Sequence, residues 1–261
     1  MTAYYNEINK DAAQWMRNLI EAGHIAPGYV DERSIEDVYP SDLRGFTQCH
    51  FFAGIGVWSY ALRKAGWSDD RSVWTGSCPC QPFSAAGKGV GFSDERHLWP
   101  AFHHLIKECK PEYVLGEQVA SKDADSWIDL VHTDMEALGY AFGAVPFPSA
   151  GAGGKDLRER LYWVANSNEH CGGRQANPAD YKREEVNRST DWIGRHSSLV
   201  NRSSTDCEWV ACADGWSRPI EPGLCAVVDE NPARVGCLRA YGNAINAVQA
   251  QTFIEAVMES I

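Results

Sequence analysis

Short β-rich runs alternate with helical patterns through the first 150 residues, and this alternation restricts the fold more than any other feature. One unit starts with the run from Gln48 to Ala53, turns at Gly54 and Gly56, and continues into a helical pattern over 57–65. Comparable strand runs lie near residues 3–5, 73–75, 113–115 and 161–165. Strands separated by helices are typical of a parallel sheet covered by helices, so we predict an α/β fold.

The amino-acid composition of the chain changes after residue 166. Residues 167–232 are polar and rich in Gly, Asn, Ser and Arg, whereas a helical pattern returns after Leu238. We therefore predict a large α/β domain over 1–166 and a small, loop-rich insert over 167–232. The last segment, 233–261, is expected to return to the first domain.

Composition excludes several classes of protein. The 261 residues are 44% hydrophobic and 23% charged, which is ordinary for a folded chain and excludes a disordered or fibrous one. No apolar run approaches the ~18 residues of a membrane helix, and the start lacks a signal peptide, so we expect a cytoplasmic protein without membrane contact. The nine cysteines are irregularly spaced and indicate reduced thiols rather than a disulfide framework.

The net charge of −11 is unevenly distributed. The acidic excess lies mainly in residues 1–149, while residues 150–240 are nearly neutral and rich in arginine. Because electrostatic steering depends on where charges lie, a nucleic-acid partner stays compatible with the acidic total.

A cysteine between two prolines is the strongest chemical signal. Cys80 follows a predicted strand within the run Ser77-Cys78-Pro79-Cys80-Gln81-Pro82. A thiol at the mouth of a parallel sheet can have its pKa lowered by nearby cations or amides, which makes it a nucleophile. A zinc pair or a buried thiol are the alternatives. Because Cys78 and Cys80 have no second pair at the usual zinc spacing, we predict no metal site.

Five segments, in chain order, resemble the motifs of DNA (cytosine-5) methyltransferases. They are FAGIG (52–56), PCQPFS (79–84), GEQV (116–119), RERLYWV (158–164) and YGNAI (241–245). The resemblance covers the chain except for about 167–232. It implies a Rossmann-like, S-adenosylmethionine-dependent methyltransferase sheet with a small target-recognition region in the insert. It also implies a monomer that acts on double-stranded DNA, and the short insert favours a phage- or prophage-type member, of the kind associated with restriction-modification.

The resemblance also implies catalytic roles for four residues. The thiolate of Cys80 would attack carbon 6 of a flipped-out cytosine, and Glu117 would bond or protonate ring nitrogen 3. Arg160, with Arg158 alongside, would hold the carbonyl oxygen of the base. Carbon 5 would then accept the methyl group. An RNA cytosine-5 methyltransferase and a catalytically silent nucleic-acid-binding relative are the alternatives.

The cofactor motifs are in an unusual order. The interval from Gly56 to Cys80 has room for one helix and one strand, whereas the family places two further strands there. Tyr5-Asn6-Glu7 and the segment 31–38 resemble the absent part. We therefore expect residues 1–38 to supply the ribose and adenine strands ahead of the glycine turn, with an unrelated N-terminal extension as the alternative.

This arrangement predicts that the strand over 3–7 lies beside the strand over 48–53, with Glu7 and Gly54 at the same carboxyl edge of the sheet. Glu7 would accept from the ribose hydroxyls. Ser34 stands where the family has an aspartate, so the adenine amine would meet Asp31 or water. The implied S-adenosylmethionine contacts are Phe52, Gly54, Gly56, Glu7, Ile8, Ser34, Ile35, Leu98, Asn243 and Ala244.

Overall fold

The structure, a computed structural model, describes residues 2–78, 98–119, 122–152, 159–167, 208–211, 217–220 and 244–261. Its strands are β1 (Ala3–Asn6), β2 (Gly28–Asp31), β3 (Gln48–Phe51), β4 (Val73–Gly76), β5 (Tyr113–Val119), β6 (Tyr140–Pro148), β7 (Glu159–Ser167), β8 (Glu208–Ala211) and β9 (Ser217–Ile220). Its α-helices are α1 (Lys10–Glu21), α2 (Val57–Lys64), α3 (Trp99–Cys109), α4 (Lys122–Ala137) and α5 (Ala247–Ser260). Short 3-10 helices span Ile35–Asp37, Pro40–Leu43 and Ser149–Ala152.

Seven strands form one sheet in the order β2-β1-β3-β4-β5-β7-β6. The first five positions are parallel, and β7 runs antiparallel to both of its neighbours. If counting starts at β3, with β1 and β2 as the second and third strands, the order reads 3-2-1-4-5, as in Rossmann-type sheets. The predicted α/β class is confirmed, and β1 lies beside β3 as the sequence predicts.

Alternation along the strands supplies both apolar faces of the sheet. Tyr5 is paired in register with His50, and His50 with Thr75; these side chains lie on the face of the sheet that α1, α2 and α5 cover. Tyr4, the neighbour of Tyr5, is at the level of Cys49 and faces the 3-10 helices, α3 and α4. The result is three layers, with helices on both sides of the sheet.

The crossover through α2 has a different hand from the other parallel connections. The connection from β1 through α1 moves towards one edge of the sheet, whereas that from β3 through α2 moves towards the other, and both helices cover the same face. The connections through the 3-10 helices and through α3 use the opposite face and share the hand of the first. Crossovers in sheets have one hand in nearly all cases, so this exception is a consequence of the chain order.

Two strand predictions require correction. Strand β6 was not predicted, and β7, predicted as a strand near 161–165 of a parallel sheet, is antiparallel to both of its neighbours. Only residues 149–158 join β6 to β7, which is too short for the crossover that a parallel pair needs. In the insert, β7 extends to Ser167 and β8 pairs with β9, so the described part of this region contains an antiparallel hairpin.

Candidate active site

The carboxyl ends of the parallel strands meet at one edge of the sheet, where ligands bind in Rossmann-type folds. Glu7 follows β1, Arg33 lies two residues beyond β2, and the turn from Phe52 to Gly56 follows β3. Glu117 lies near the end of β5 at the same edge. The fold therefore places Glu7, the glycine turn and Glu117 along the same edge of the sheet.

The turn after β3 has left-handed backbone. Phe52, Gly54 and Gly56 have φ values of 52°, 56° and 82°, so the strand ends at Phe51 rather than at Ala53 as predicted. A Cβ atom added at Gly54 would meet no atom within 4 Å. Glycine at this position therefore satisfies the backbone conformation and leaves the peptide open to a ligand.

Glu7 closes this turn from the neighbouring strand. Its Oε2 accepts the backbone N–H of Gly54 at 2.8 Å, and its Oε1 accepts that of Asn9 at 2.9 Å. Burial raises the pKa of Glu7, although the bonds from Asn9 and Gly54 act in the opposite direction. Glu7 and Gly54 thus lie at the same carboxyl edge, as predicted, and the bond to the ribose stays a prediction.

The predicted adenine residues have different environments. Ile8 is 67% exposed, whereas Ile35 is buried against the core that contains Tyr4. Ser34 is half-buried and its hydroxyl caps the 3-10 helix that starts at Ile35, with the Glu36 N–H at 3.4 Å. Asp31 is bonded to Tyr4 and Arg33, so the structure does not favour it as the adenine partner.

The remaining predicted cofactor contacts are Phe52, Leu98, Ala244 and Asn243. Phe52 is half-buried and meets Phe102 of α3 edge-on, with ring centroids 6.1 Å apart. Leu98 is half-buried at the start of α3. Ala244 is half-buried, three residues before α5, while Asn243 lies outside the described residues.

Glu117 and Arg160 form an ion pair, with 2.9 Å between Oε1 and Nε. In the antiparallel register Glu117 lies opposite Tyr162, so Arg160 is its diagonal neighbour on the same face. Both side chains are largely buried, with 9% and 17% exposure. A charge-assisted bond in this setting fixes the carboxylate and the guanidinium relative to each other.

Of the two cysteines in the proline-rich run, the structure describes Cys78. Cys78 is buried in the core beside Trp74, and burial raises the pKa of its thiol. A buried thiol of this kind is a poor nucleophile. Cys80 and Arg158 lie outside the described residues, so their roles stay predictions.

Sequence reasoning missed two residues at this edge. Asn6, the last residue of β1, is buried and donates from Nδ2 to the Arg33 carbonyl at 2.9 Å. The guanidinium of Arg33 binds Asp31 and Asp42. The signal was present, because Asn6 directly precedes Glu7 and a basic residue follows an acidic pair at 31–32, but neither pattern is specific on its own.

Comparison with known proteins identifies the family. Residues 68–206 match the family described as C-5 cytosine-specific DNA methylase. The chain belongs to this family. The family predicted from the five motifs is therefore confirmed.

Curated members of the same class align over part of the chain. The type II methyltransferase M.HhaI of Haemophilus parahaemolyticus is 33% identical over 104 residues, which are 38% of this chain and 32% of that protein. The type II methyltransferase M1.ScrFI of Lactococcus lactis subsp. cremoris is 28% identical over 144 residues, or 52% of this chain and 37% of that protein. The chain spans about a third of the length of these curated relatives.

Among solved structures, a Dnmt2 methyltransferase of S. pombe is similar to this chain, with a TM-score of 0.40 and 14% identity over 67% of this chain and 52% of that one.

Among the described residues, no helix is long and apolar enough to cross a membrane. Within the same ranges, no group of three or more potential ligand side chains could hold a metal ion.

Proposed function

We propose that this chain transfers a methyl group from S-adenosylmethionine to carbon 5 of a flipped-out cytosine in double-stranded DNA. The proposal rests on the largely buried Glu117–Arg160 ion pair at the carboxyl edge of the sheet. The chain that forms this sheet belongs to the C-5 cytosine-specific DNA methylase family. We also propose that the protein acts as a monomer on DNA in the cytoplasm of a bacterial or phage-infected cell.

The described residues at the edge of β1 and β3 fit the cofactor. Glu7 presents a half-buried carboxylate that can accept from ribose hydroxyls, and Gly54 offers an open backbone beside it. Phe52 gives an aromatic surface next to the same turn. S-adenosylmethionine, when bound, supplies an electrophilic methyl group.

The pair at the edge of β5 and β7 suits a cytosine ring. Arg160 would donate to the carbonyl oxygen of the base, and Glu117 would bond ring nitrogen 3 and offset the charge that enters the ring. Because each holds the other at 2.9 Å, little rearrangement is needed before the base arrives.

In the proposed mechanism Cys80 forms a bond from sulfur to carbon 6, and the electron pair displaced from the ring double bond makes carbon 5 nucleophilic. Carbon 5 would then accept the methyl group that bound S-adenosylmethionine would supply, and the pair of the broken S–CH3 bond would remain on the sulfur of the cofactor, not on Cys80. Loss of the carbon 5 proton to a base restores the double bond and expels the Cys80 thiolate. Glu117 and Arg160 stabilise the charge on the ring throughout.

Residues 167–232 are proposed as the target-recognition region. They lie between the motifs at 158–164 and 241–245, and their Asn, Gln, Arg and Ser side chains can form hydrogen bonds with base edges. We propose that residues 1–166 and 233–261 form the catalytic domain, with 1–38 supplying the ribose and adenine strands.

The test compares Cys80→Ser with Cys78→Ser. Bisulfite sequencing of DNA from expressing cells should show methylation with the parent protein and with Cys78→Ser, but none with Cys80→Ser. Purified protein should form a covalent adduct with duplex DNA containing 5-fluorocytosine only when Cys80 is present. An adduct in Cys80→Ser would show that Cys80 is not the nucleophile. Methylation of tRNA but not of duplex DNA would show that RNA, rather than DNA, is the substrate.

A further inference from the structure

Arg33 joins three segments at the carboxyl edge of β2. Its Nε and Nη2 donate to the carboxylate of Asp31, at 3.0 and 2.7 Å from Oδ2. Nη2 also donates to Oδ2 of Asp42 at 2.8 Å, and Nη1 donates to the carbonyl of Asp37 at 3.1 Å. Asp37 and Asp42 both belong to the connector that leads from β2 to β3.

Asp31 is the buried anchor of this cluster. It is 3% exposed, and its carboxylate also accepts from the Tyr4 hydroxyl at 2.8 Å and from the Arg33 backbone at 2.9 Å. Burial alone would raise the pKa of Asp31, but the bonds from Arg33 and Tyr4 bring it below its ordinary value. Arg33 therefore bonds a carboxylate that stays charged, and its planar fork can bind Asp31 and Asp42 together.

A continuous set of hydrogen bonds leads from this cluster to the glycine turn. Asn6 donates to the Arg33 carbonyl at 2.9 Å, and the Glu7 N–H donates to the Asp31 carbonyl at 3.0 Å. Glu7 in turn accepts from Gly54. Ser34 and Ile35 follow Arg33 directly, so the same bonds fix the start of the turn that carries them.

We propose that Arg33 is a positioning residue for the cofactor. It holds the turn over 33–37 against β1 and against the connector at Asp42, so that this wall of the pocket is formed before the cofactor binds. A wall that is already ordered does not have to be ordered on binding, which improves affinity without adding a contact. The inference rests on the proposed function, because it assigns this wall to the S-adenosylmethionine pocket.

Arg63 provides a matched control at the opposite edge of the sheet. It donates from Nε and Nη2 to the Asp69 carboxylate, at 3.0 and 2.6 Å, and from Nη1 to the Gly23 carbonyl at 2.8 Å. Asp69 precedes β4, and Gly23 precedes β2, so these bonds lie at the amino ends of the strands. Arg63 thus has a similar set of partners, far from the glycine turn.

The experiment measures four variants of the full chain: Arg33→Gln, Arg33→Lys, Asp42→Asn and Arg63→Gln. Calorimetry gives the Kd for S-adenosylhomocysteine, steady-state assays give the KM for S-adenosylmethionine and kcat on saturating duplex DNA, and thermal melting gives Tm. We expect Arg33→Gln to raise Kd and KM roughly tenfold while kcat stays within about twofold. Arg33→Lys should recover only part of this loss, because an ammonium lacks the fork.

Arg63→Gln should lower Tm without changing Kd. If Arg33→Gln fails to fold, Asp42→Asn decides, because it removes the negative charge of one partner and leaves the Arg33–Asp31 pair. A Kd raised severalfold supports the inference, and an unchanged Kd overturns it. Equal Kd values in all folded variants and the parent overturn the inference and leave the proposed function standing. A parent protein that binds no S-adenosylhomocysteine overturns the proposed function and the inference with it.

Discussion

His50 lies in the middle of the sheet, in a position that no solvent reaches. Its Nδ1 is 2.8 Å from the Thr75 hydroxyl, and its ring stacks on Tyr5 with centroids 4.9 Å apart. Burial lowers the pKa of His50 to about 3. The side chain therefore stays neutral in the folded protein at pH values where an unfolded chain protonates it.

This difference makes stability depend on pH. Between about 6.5 and about 3 the unfolded state binds a proton that the folded state does not, so the free energy of unfolding falls as pH is lowered. The contribution has a slope of up to about 1.4 kcal/mol per pH unit. Urea unfolding at several pH values should show this slope reduced in His50→Gln. The exposed His104→Gln is the control, and an identical slope in His50→Gln would contradict the prediction.

Glu7 is proposed to bind the cofactor directly, so its substitution should change the affinity. Glu7→Ala should weaken S-adenosylhomocysteine binding by roughly ten- to a hundredfold, because loss of a hydrogen bond to a charged acceptor costs ~1.5–3 kcal/mol. Calorimetry measures the loss, and circular dichroism checks that the fold is kept. Glu21→Ala, at the exposed end of α1, should bind like the parent. Equal affinity of Glu7→Ala and the parent would remove Glu7 from the site.

Sequence reasoning paired Glu7 with Gly54 because both follow strand-like runs, and parallel strands end at one edge. It could not find the contacts of Arg33, because these depend on how the connector folds back over β2 rather than on a local pattern. The Glu117–Arg160 bond was equally hidden, since it depends on the antiparallel register of β5 and β7.

Strands β5 and β7 pack closely against each other because of one glycine. A Cβ atom at Gly116 would lie 2.0 Å from the ring of Trp163, which is buried on the α3 face of the sheet. The ring also packs on Phe142 of β6, with centroids 5.7 Å apart. Trp163 therefore occupies the space that a side chain at Gly116 would need.

Gly116→Ala should destabilise the fold by about 1–3 kcal/mol or more, because the close-packed ring must shift. Gly143 of β6 is the matched control, since a Cβ atom there would meet only a methyl group of Val164, at 3.9 Å. Gly143→Ala should leave the free energy of unfolding nearly unchanged. Denaturant unfolding measures both, and equal stability of the two variants would contradict the packing argument.

The helices were easier to predict than the edge strands. The helical pattern predicted over 57–65 agrees with the bounds of α2 to one residue, because this segment has an apolar face with helical spacing. β6 has no such signal: most of its side chains are exposed, and Pro146 and Pro148 interrupt the strand pattern. Prolines are tolerated there because β6 lies at the edge of the sheet.

We predict that the order of the segments along the chain can be changed while the order of the strands in the sheet is kept. The starts of β1, β3 and β4 lie side by side: the Thr47 N–H donates to the Thr2 carbonyl at 2.9 Å, and the Val73 N–H to the Thr47 carbonyl at 3.4 Å. Short linkers can therefore reconnect these starts in another order, and the resulting chain would give every crossover the same hand.

A chain reordered as 47–72, 2–46 and 73–261, with short glycine linkers, should form the same sheet. Its Kd for S-adenosylhomocysteine should stay within roughly fivefold of the parent, or about 1 kcal/mol. Circular dichroism and calorimetry test this. The parent order carrying the same linkers as insertions at 46–47 and 72–73 is the control. A reordered chain that folds but binds nothing would show that the natural order is required for the pocket.

The natural order also has a consequence during translation. Glu7, the Arg33 turn and Gly54 form one continuous stretch that leaves the ribosome before Glu117 is made. At elongation rates of about 5–20 residues per second, the delay between Gly54 and Glu117 is roughly 3–13 s. In this interval the synthesised chain includes Glu7, the Arg33 turn and Gly54, but not Glu117. The residue proposed to act on the base is therefore made seconds after the residues that hold one wall of the proposed cofactor pocket.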